Sequence, residues 1–271
     1  MRKKNESKQT VEALTDRLHQ FRLNAMAEQL EELHNNKQIA DMGPLELLDR
    51  LLSAQEIHTL NRTTKKYKVS ADLFFPMADL DDVIYDMDRH INAALVDQLS
   101  TNEYIKESRN ILITSATGCG KTFFACAFGN KACESQYSVV YYTMTDFVDE
   151  CRRMDEQFYL ANFIKKVANY NVIILDDFLL TSINQRDAEY LYRLVSSKQR
   201  KIKPRSYIIC SQLMKEEMYN RLSMASPSVA DAIMSRLTAK AYRLQLEGKS
   251  MREVDIDDVL AQRKSENQDN Q

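Results

Sequence analysis

The stretch Ile111-Leu112-Ile113-Thr114-Ser115-Ala116-Thr117-Gly118-Cys119-Gly120-Lys121-Thr122 constrains this chain more than any other. An apolar run of strand length meets two glycines, a lysine and a threonine, and an apolar helical pattern follows over Thr122–Ser135. Only five glycines occur in 271 residues, so two within three positions mark a backbone that must turn where a Cβ is unwelcome. A glycine loop of this kind turns successive N–H groups inward, and the helix behind it adds its positive end, which together suit phosphate. The pattern GxxxxGK[ST] is met at Gly120-Lys121-Thr122 and departs at its opening position, where Ser115 replaces glycine. The predicted phosphate-binding set is Ser115, Ala116, Thr117, Gly118, Cys119, Gly120, Lys121 and Thr122. In it Lys121 serves the β- and γ-phosphates of ATP, and the Thr122 hydroxyl serves Mg²⁺. A serine at 115 requires the loop to begin without the positive φ that glycine accepts.

Three further runs have strand length: Ser138-Val139-Val140-Tyr141-Tyr142, Val172-Ile173-Ile174-Leu175 and Tyr207-Ile208-Ile209-Cys210. Their near-continuous hydrophobicity suits strands covered on both faces, as in a parallel sheet. The intervening stretches Thr122–Ser135, Asp146–Tyr170 and Gln185–Lys201 fit right-handed crossover helices. The expected fold is therefore α/β, a three-layer α/β/α P-loop domain with a parallel sheet, over residues 71–260. A small all-helical domain over 1–70 precedes it, carried by Val11, Leu14, Leu18, Phe21, Leu23, Met26, Leu30 and Leu33, then by the leucines that follow Gly43-Pro44. The boundary is placed after the basic stretch Asn61–Lys68, and the polar tail 261–271 reads as disordered.

The run Val172–Leu175 ends in Asp176-Asp177. A strand neighbouring the P-loop strand would deliver Asp176 to the metal beside the phosphates, and Asp177 could polarise the attacking water. Five scattered cysteines form no CxxC pair and read as small buried hydrophobes. No run approaches the roughly 18 apolar residues of a membrane span, and the charged start MRKKNESKQT lacks the apolar core of a secretory signal, so a cytoplasmic location is expected. With a net charge of −2 no global basic field exists, and any contact with nucleic acid must use local patches.

Three downstream blocks carry a resemblance: Cys210-Ser211-Gln212, then Ala230-Asp231-Ala232-Ile233-Met234-Ser235-Arg236-Leu237, then Leu246-Glu247-Gly248-Lys249-Ser250-Met251-Arg252. In this order after a P-loop, they resemble the signatures of the IstB-like ATP-binding proteins of bacterial insertion sequences, relatives of the DnaC helicase loaders among AAA+ ATPases. The family pattern has glycine at 115, aspartate at 235 and often tryptophan at 219, where this chain has Ser115, Ser235 and Tyr219. The resemblance implies that Gln212 is a sensor-1 residue facing the γ-phosphate or the water. It also implies that Arg236 is an arginine finger acting on a neighbouring subunit's ATP, and that Arg252 is a sensor-2-like arginine. The implied function is that of a transposition helper. Such a protein binds double-stranded DNA without sequence preference, forms a homo-oligomeric ring or helical filament on it with ATP, and presents it to a cognate transposase that stimulates hydrolysis. Arg152, Arg153, Lys165 and Lys166 are the candidate DNA contacts, with the basic run Lys198–Arg205 beside them. Two other readings remain open at this point: a DnaC-like loader of a replicative helicase, and a nucleotide-dependent scaffold that does not hydrolyse ATP.

Overall fold

The computed structural model describes residues 10–85, 90–197 and 204–248. The chain divides into two compact units between Lys66 and Tyr67. In the first, Thr10 opens α1 (Val11–Gln20) by accepting the Ala13 N–H on its hydroxyl, one of the donors a helix start leaves free. A left-handed residue at Arg22 (φ 61°) then separates α1 from α2 (Asn24–Asn35). The single apolar stripe of the sequence is thus cut into two helices, and Met26, Leu30, Leu33 and Leu51 form their shared core. The helix α3 (Pro44–Ala71) starts at the proline expected in a first turn and runs through the basic stretch 61–68 across the division, so that stretch is helical.

The second unit holds a five-stranded, all-parallel sheet: β1 (Ile111–Thr114), β2 (Val139–Thr143), β3 (Val172–Asp176), β4 (Ser206–Ser211) and β5 (Tyr242–Gln245), in the order β2-β3-β4-β1-β5. Alternate side chains enter opposite cores, as the period of a strand demands. Leu112, Ile173, Leu175, Tyr207 and Ile209 pack with α7 (Met144–Glu156), α8 (Leu160–Val167), α9 (Gln185–Ser196), α10 (Lys215–Ala225) and α11 (Pro227–Thr238). Ile111, Ile113, Val172, Ile174, Ile208 and Cys210 pack with α6 (Lys121–Glu134) and with residues of 71–83 and 91–105, the latter holding the short helix α4 (Ala93–Ser100) and the start of α5 (Glu103–Lys106). The expected three layers are the observed ones.

Three particulars differ from expectation. The predicted helix Asp146–Tyr170 is two helices, because the chain turns at Phe158, whose φ is 61°. β4 lies between β3 and β1, so Asp176 arrives from one strand beyond the neighbour of the P-loop strand. A fifth strand, β5, was not foreseen: of its four residues only Leu244 is buried, the mark of an edge strand. The predicted tail 261–271 lies outside the described residues, as does most of the basic run 198–205. Among the described residues no helix is long and apolar enough to cross a membrane, and all five cysteines are buried thiols outside any disulfide.

One buried amide joins three elements behind the site. Asn110 donates from Nδ2 to the Arg236 and Leu237 carbonyls (2.9 and 3.0 Å), which end α11, and its Oδ1 accepts the Tyr207 N–H of β4 (2.9 Å). Asn110→Ala would strand these groups out of reach of water. It is expected to lower stability by about 2–4 kcal/mol in urea denaturation, summing a small number of buried unsatisfied groups; an unchanged midpoint would show that water replaces the amide.

Candidate nucleotide-binding site

The site forms where the inner strand β1, between β4 and β5, runs out. Beyond Thr114 the Ser115 N–H still donates to the Ser211 carbonyl (3.3 Å), and on the other side the Leu246 N–H donates to the Thr114 carbonyl (2.9 Å). The chain then loops through Gly118 (φ 84°) and Gly120 (φ 93°), both left-handed, and enters α6 at Lys121. A side chain at either position would be strained, which is why glycine stands there. Ser115 is not among the positive-φ residues, so the loop begins without needing glycine's freedom.

Lys121 is only 5% exposed. Its ammonium donates to the Ser115 carbonyl (3.0 Å), the Ala116 carbonyl (2.8 Å) and the Ser115 hydroxyl (3.2 Å). Burial pulls its pKa below the usual lysine value. Thr122 donates from Oγ1 to Asp176 Oδ2 at 2.6 Å, which puts the end of β3 against the start of α6. The same oxygen accepts the Tyr141 hydroxyl (2.9 Å), and Oδ1 accepts the Asp177 N–H (2.8 Å). The Tyr141 pKa is raised, first by burial and then by the Asp176 charge. A buried carboxylate and a hydroxyl are the hard oxygen donors that Mg²⁺ prefers, so the pair fits that ion. Asp177 is half-buried with a left-handed backbone (φ 49°).

Gln212, the first residue after β4, accepts the Thr117 hydroxyl on Oε1 at 2.8 Å. Cys119, within the loop, is buried with Sγ 3.5 Å from the Gly248 carbonyl. The structure therefore brings Ser115, Thr117, Lys121, Thr122, Asp176 and Gln212 together. Arg236 sits apart in the last turn of α11, exposed, donating to the Ala232 carbonyl (2.9 Å) with its guanidinium 5.8 Å from the Tyr192 ring centre. Arg252 lies outside the described residues. Sequence reasoning missed Tyr141, a polar end hidden in an apolar strand. The available signal was a phenol on the strand beside β3, two residues before its Asp176-facing end.

The four basic candidates separate into two kinds. Arg152 grips the buried Asp187 with two hydrogen bonds (3.0 and 2.7 Å) and Asp149 with a third (3.1 Å), while Arg153 holds Glu150 (2.9 and 2.6 Å). Asp187 also caps α9 together with Asn184, and its hydrogen bond is the main cause of the raised Arg152 pKa. Lys165 and Lys166, in the last turn of α8, are exposed and make no ion pair among the described residues. Lys165 shares an open cleft of about 400 Å³ with Asn169, Arg193 and Ser197.

A glycine loop between an inner parallel strand and a helix, with a buried lysine and a carboxylate on the loop's threonine, defines a P-loop ATP-binding protein. Residues 16–256 match the family described as IstB-like ATP binding protein, and the chain belongs to it. A Sinorhizobium fredii protein named for ATP binding in an insertion sequence, y4uH, is 29% identical over 237 residues, 88% of this chain and 93% of that protein. The ATP-binding protein of insertion sequence IS1162 in Pseudomonas fluorescens is 29% identical over 196 residues, 72% of this chain and 84% of that one. Among solved structures, DnaI is similar with a TM-score of 0.53 at 16% identity, covering 64% of this chain and 95% of that chain. AMPPCP-bound DnaA from Aquifex aeolicus is similar with a TM-score of 0.51 at 21% identity, covering 65% of this chain and 52% of that chain. These two likenesses establish a shared fold, the latter over about half of the DnaA chain.

Arg152→Ala would leave the buried Asp187 carboxylate without its cation and holding only the Asn184 N–H, so a loss of about 1–3 kcal/mol in urea denaturation is expected. Lys165→Ala is expected to stay within about 0.5 kcal/mol. Equal midpoints for the two variants would show that the Arg152–Asp187 pair carries no stability.

Proposed function

We propose that this chain is an ATP-hydrolysing transposition helper that assembles on double-stranded DNA and presents it to the transposase of its insertion sequence. The ATPase half of the reading is carried by one observation, the Thr122 hydroxyl on the buried Asp176 carboxylate beside the Lys121 loop. The loop's N–H groups and the start of α6 would take the phosphates, with Lys121 moving onto the β- and γ-oxygens. Thr122 and Asp176 would hold Mg²⁺, which when bound neutralises charge on the β- and γ-phosphate oxygens. Asp177 would accept the proton of the attacking water, and Gln212, tied to the loop through Thr117, would orient that water or the γ-phosphate. Arg236 is exposed, as a residue must be that reaches a neighbouring subunit's nucleotide, and Arg252 would serve the same phosphates from within the chain.

The DNA half rests on charge that the protein leaves unspent. Arg152 and Arg153 are committed to carboxylates, whereas Lys165, Lys166 and Arg193 are exposed cations in no close ion pair among the described residues, although Lys166 acts on Glu150 and Arg193 on Asp155 from a distance. These are the groups we assign to backbone phosphates, which need charge and little base readout. Membership of an insertion-sequence family supports reading a transposase as partner, a homo-oligomeric ring or filament as the assembly and the cytoplasm as the location.

Steady-state ATP hydrolysis, measured with and without duplex DNA, is expected to be slow and DNA-stimulated. Absent turnover with intact ATP binding would favour a non-hydrolysing scaffold, and stimulation by a replicative helicase in place of DNA would favour a loader. Lys121→Ala is expected to abolish ATP-dependent assembly on DNA in electron micrographs; unchanged assembly would remove the loop from the mechanism. Removing Lys165 and Lys166 together should reduce the slope of log affinity against log salt by about two, roughly one per lost phosphate contact. An unchanged slope would move the DNA contact elsewhere.

A further inference from the structure

We propose that the Ser115 hydroxyl is a positioning group for Lys121, holding its ammonium on the loop's own oxygens and thereby setting how tightly the site takes nucleotide. The proposal rests on the ATP-site reading above and concerns the residue at which this loop departs from the P-loop pattern. An ammonium has three donors, and here three oxygens take them: the carbonyls of Ser115 and Ala116 and the Ser115 hydroxyl. Any residue would supply the carbonyls. The hydroxyl is present only because serine stands in the glycine position.

Its orientation is fixed from both sides. The hydroxyl proton goes to the Ala116 carbonyl at 2.9 Å, which leaves the oxygen's lone pairs for Lys121. The Ser115 N–H is pinned to Ser211 at 3.3 Å, so the residue cannot rotate away with its backbone. Ser115 and Lys121 are each 5% exposed, and water is poorly placed to substitute for either. A phosphate oxygen can accept from Lys121 only after one of these bonds is released, and the hydroxyl bond, at 3.2 Å, is the longest of the three. The hydroxyl therefore stabilises the empty site relative to the loaded one, and affinity falls by that difference. Backbone strain has no part in this, because Ser115 is outside the left-handed region.

The test is equilibrium titration with a fluorescent ATP analogue, paired with thermal melting of the nucleotide-free and nucleotide-saturated protein. Ser115→Ala and Ser115→Gly should each tighten binding by roughly tenfold, the scale of one hydrogen bond to a charged group, and Ser115→Thr should bind as the parent does. Ser115→Ala should lower the melting temperature of the empty protein and leave that of the saturated protein unchanged, whereas a merely structural serine would lower both. Glycine, the usual P-loop residue, guards against an alanine variant that fails to fold. Unchanged or weaker binding by Ser115→Ala overturns the proposal, and so does tightening by glycine alone, which would assign the effect to backbone freedom. If the parent protein bound no analogue, the nucleotide reading itself would fall; if it bound and the variants matched it, only the role of Ser115 would.

Discussion

A lysine ammonium kept from water at the end of a parallel sheet is the constraint around which this molecule is arranged. An ionised group in that position is costly unless its donors are taken, and the loop that takes them can close only if two residues adopt left-handed backbones. Gly118 and Gly120 meet that need, and α6 begins immediately behind them. The loop in turn requires a strand fixed on both sides. β1 meets this by pairing with β4 and β5, and the ladder continues past its last residue on each side through Ser115 and Leu246. The parallel sheet, its two apolar faces and the helices that cover them serve to hold this one turn.

The acidic side of the site is organised by a different rule. Asp176 is nearly sealed from solvent, and its two oxygens accept from Thr122, Tyr141 and the Asp177 backbone. A carboxylate so well supplied with donors is held in one orientation in a buried place. Asp177 is half-buried and stands on a left-handed backbone. The two adjacent aspartates thus differ in burial, a difference that suits the separate roles proposed for them, one toward Mg²⁺ and one toward the attacking water.

Much of this was legible in the residues. Continuous apolar runs announced four of the strands, and the pairing of Gly120-Lys121-Thr122 with a later Asp176 announced the site, because each depends on local pattern or on residue types that few other roles require. What escaped depends on distant contacts. The break at Phe158 leaves no glycine or proline to mark it, since a phenylalanine takes the left-handed turn. β5 alternates too weakly to stand out, being an edge strand with one buried side chain. That Arg152 would spend its charge on Asp187, 35 positions away, follows from the packing of α7 against α9 and from nothing near either residue. Tyr141 joined the site for the same reason: its partner lies on the adjacent strand.

The most direct measurement is a structure determined with a non-hydrolysable ATP analogue and Mg²⁺. The phosphates should lie against the backbone N–H groups of residues 118–122, Mg²⁺ should sit between Thr122 and Asp176, and Lys121 should have left the Ser115 hydroxyl for the β- and γ-oxygens. A nucleotide bound elsewhere, or bound here with Lys121 still on all three loop oxygens, would contradict the view that this buried ammonium is the group for which the site is built.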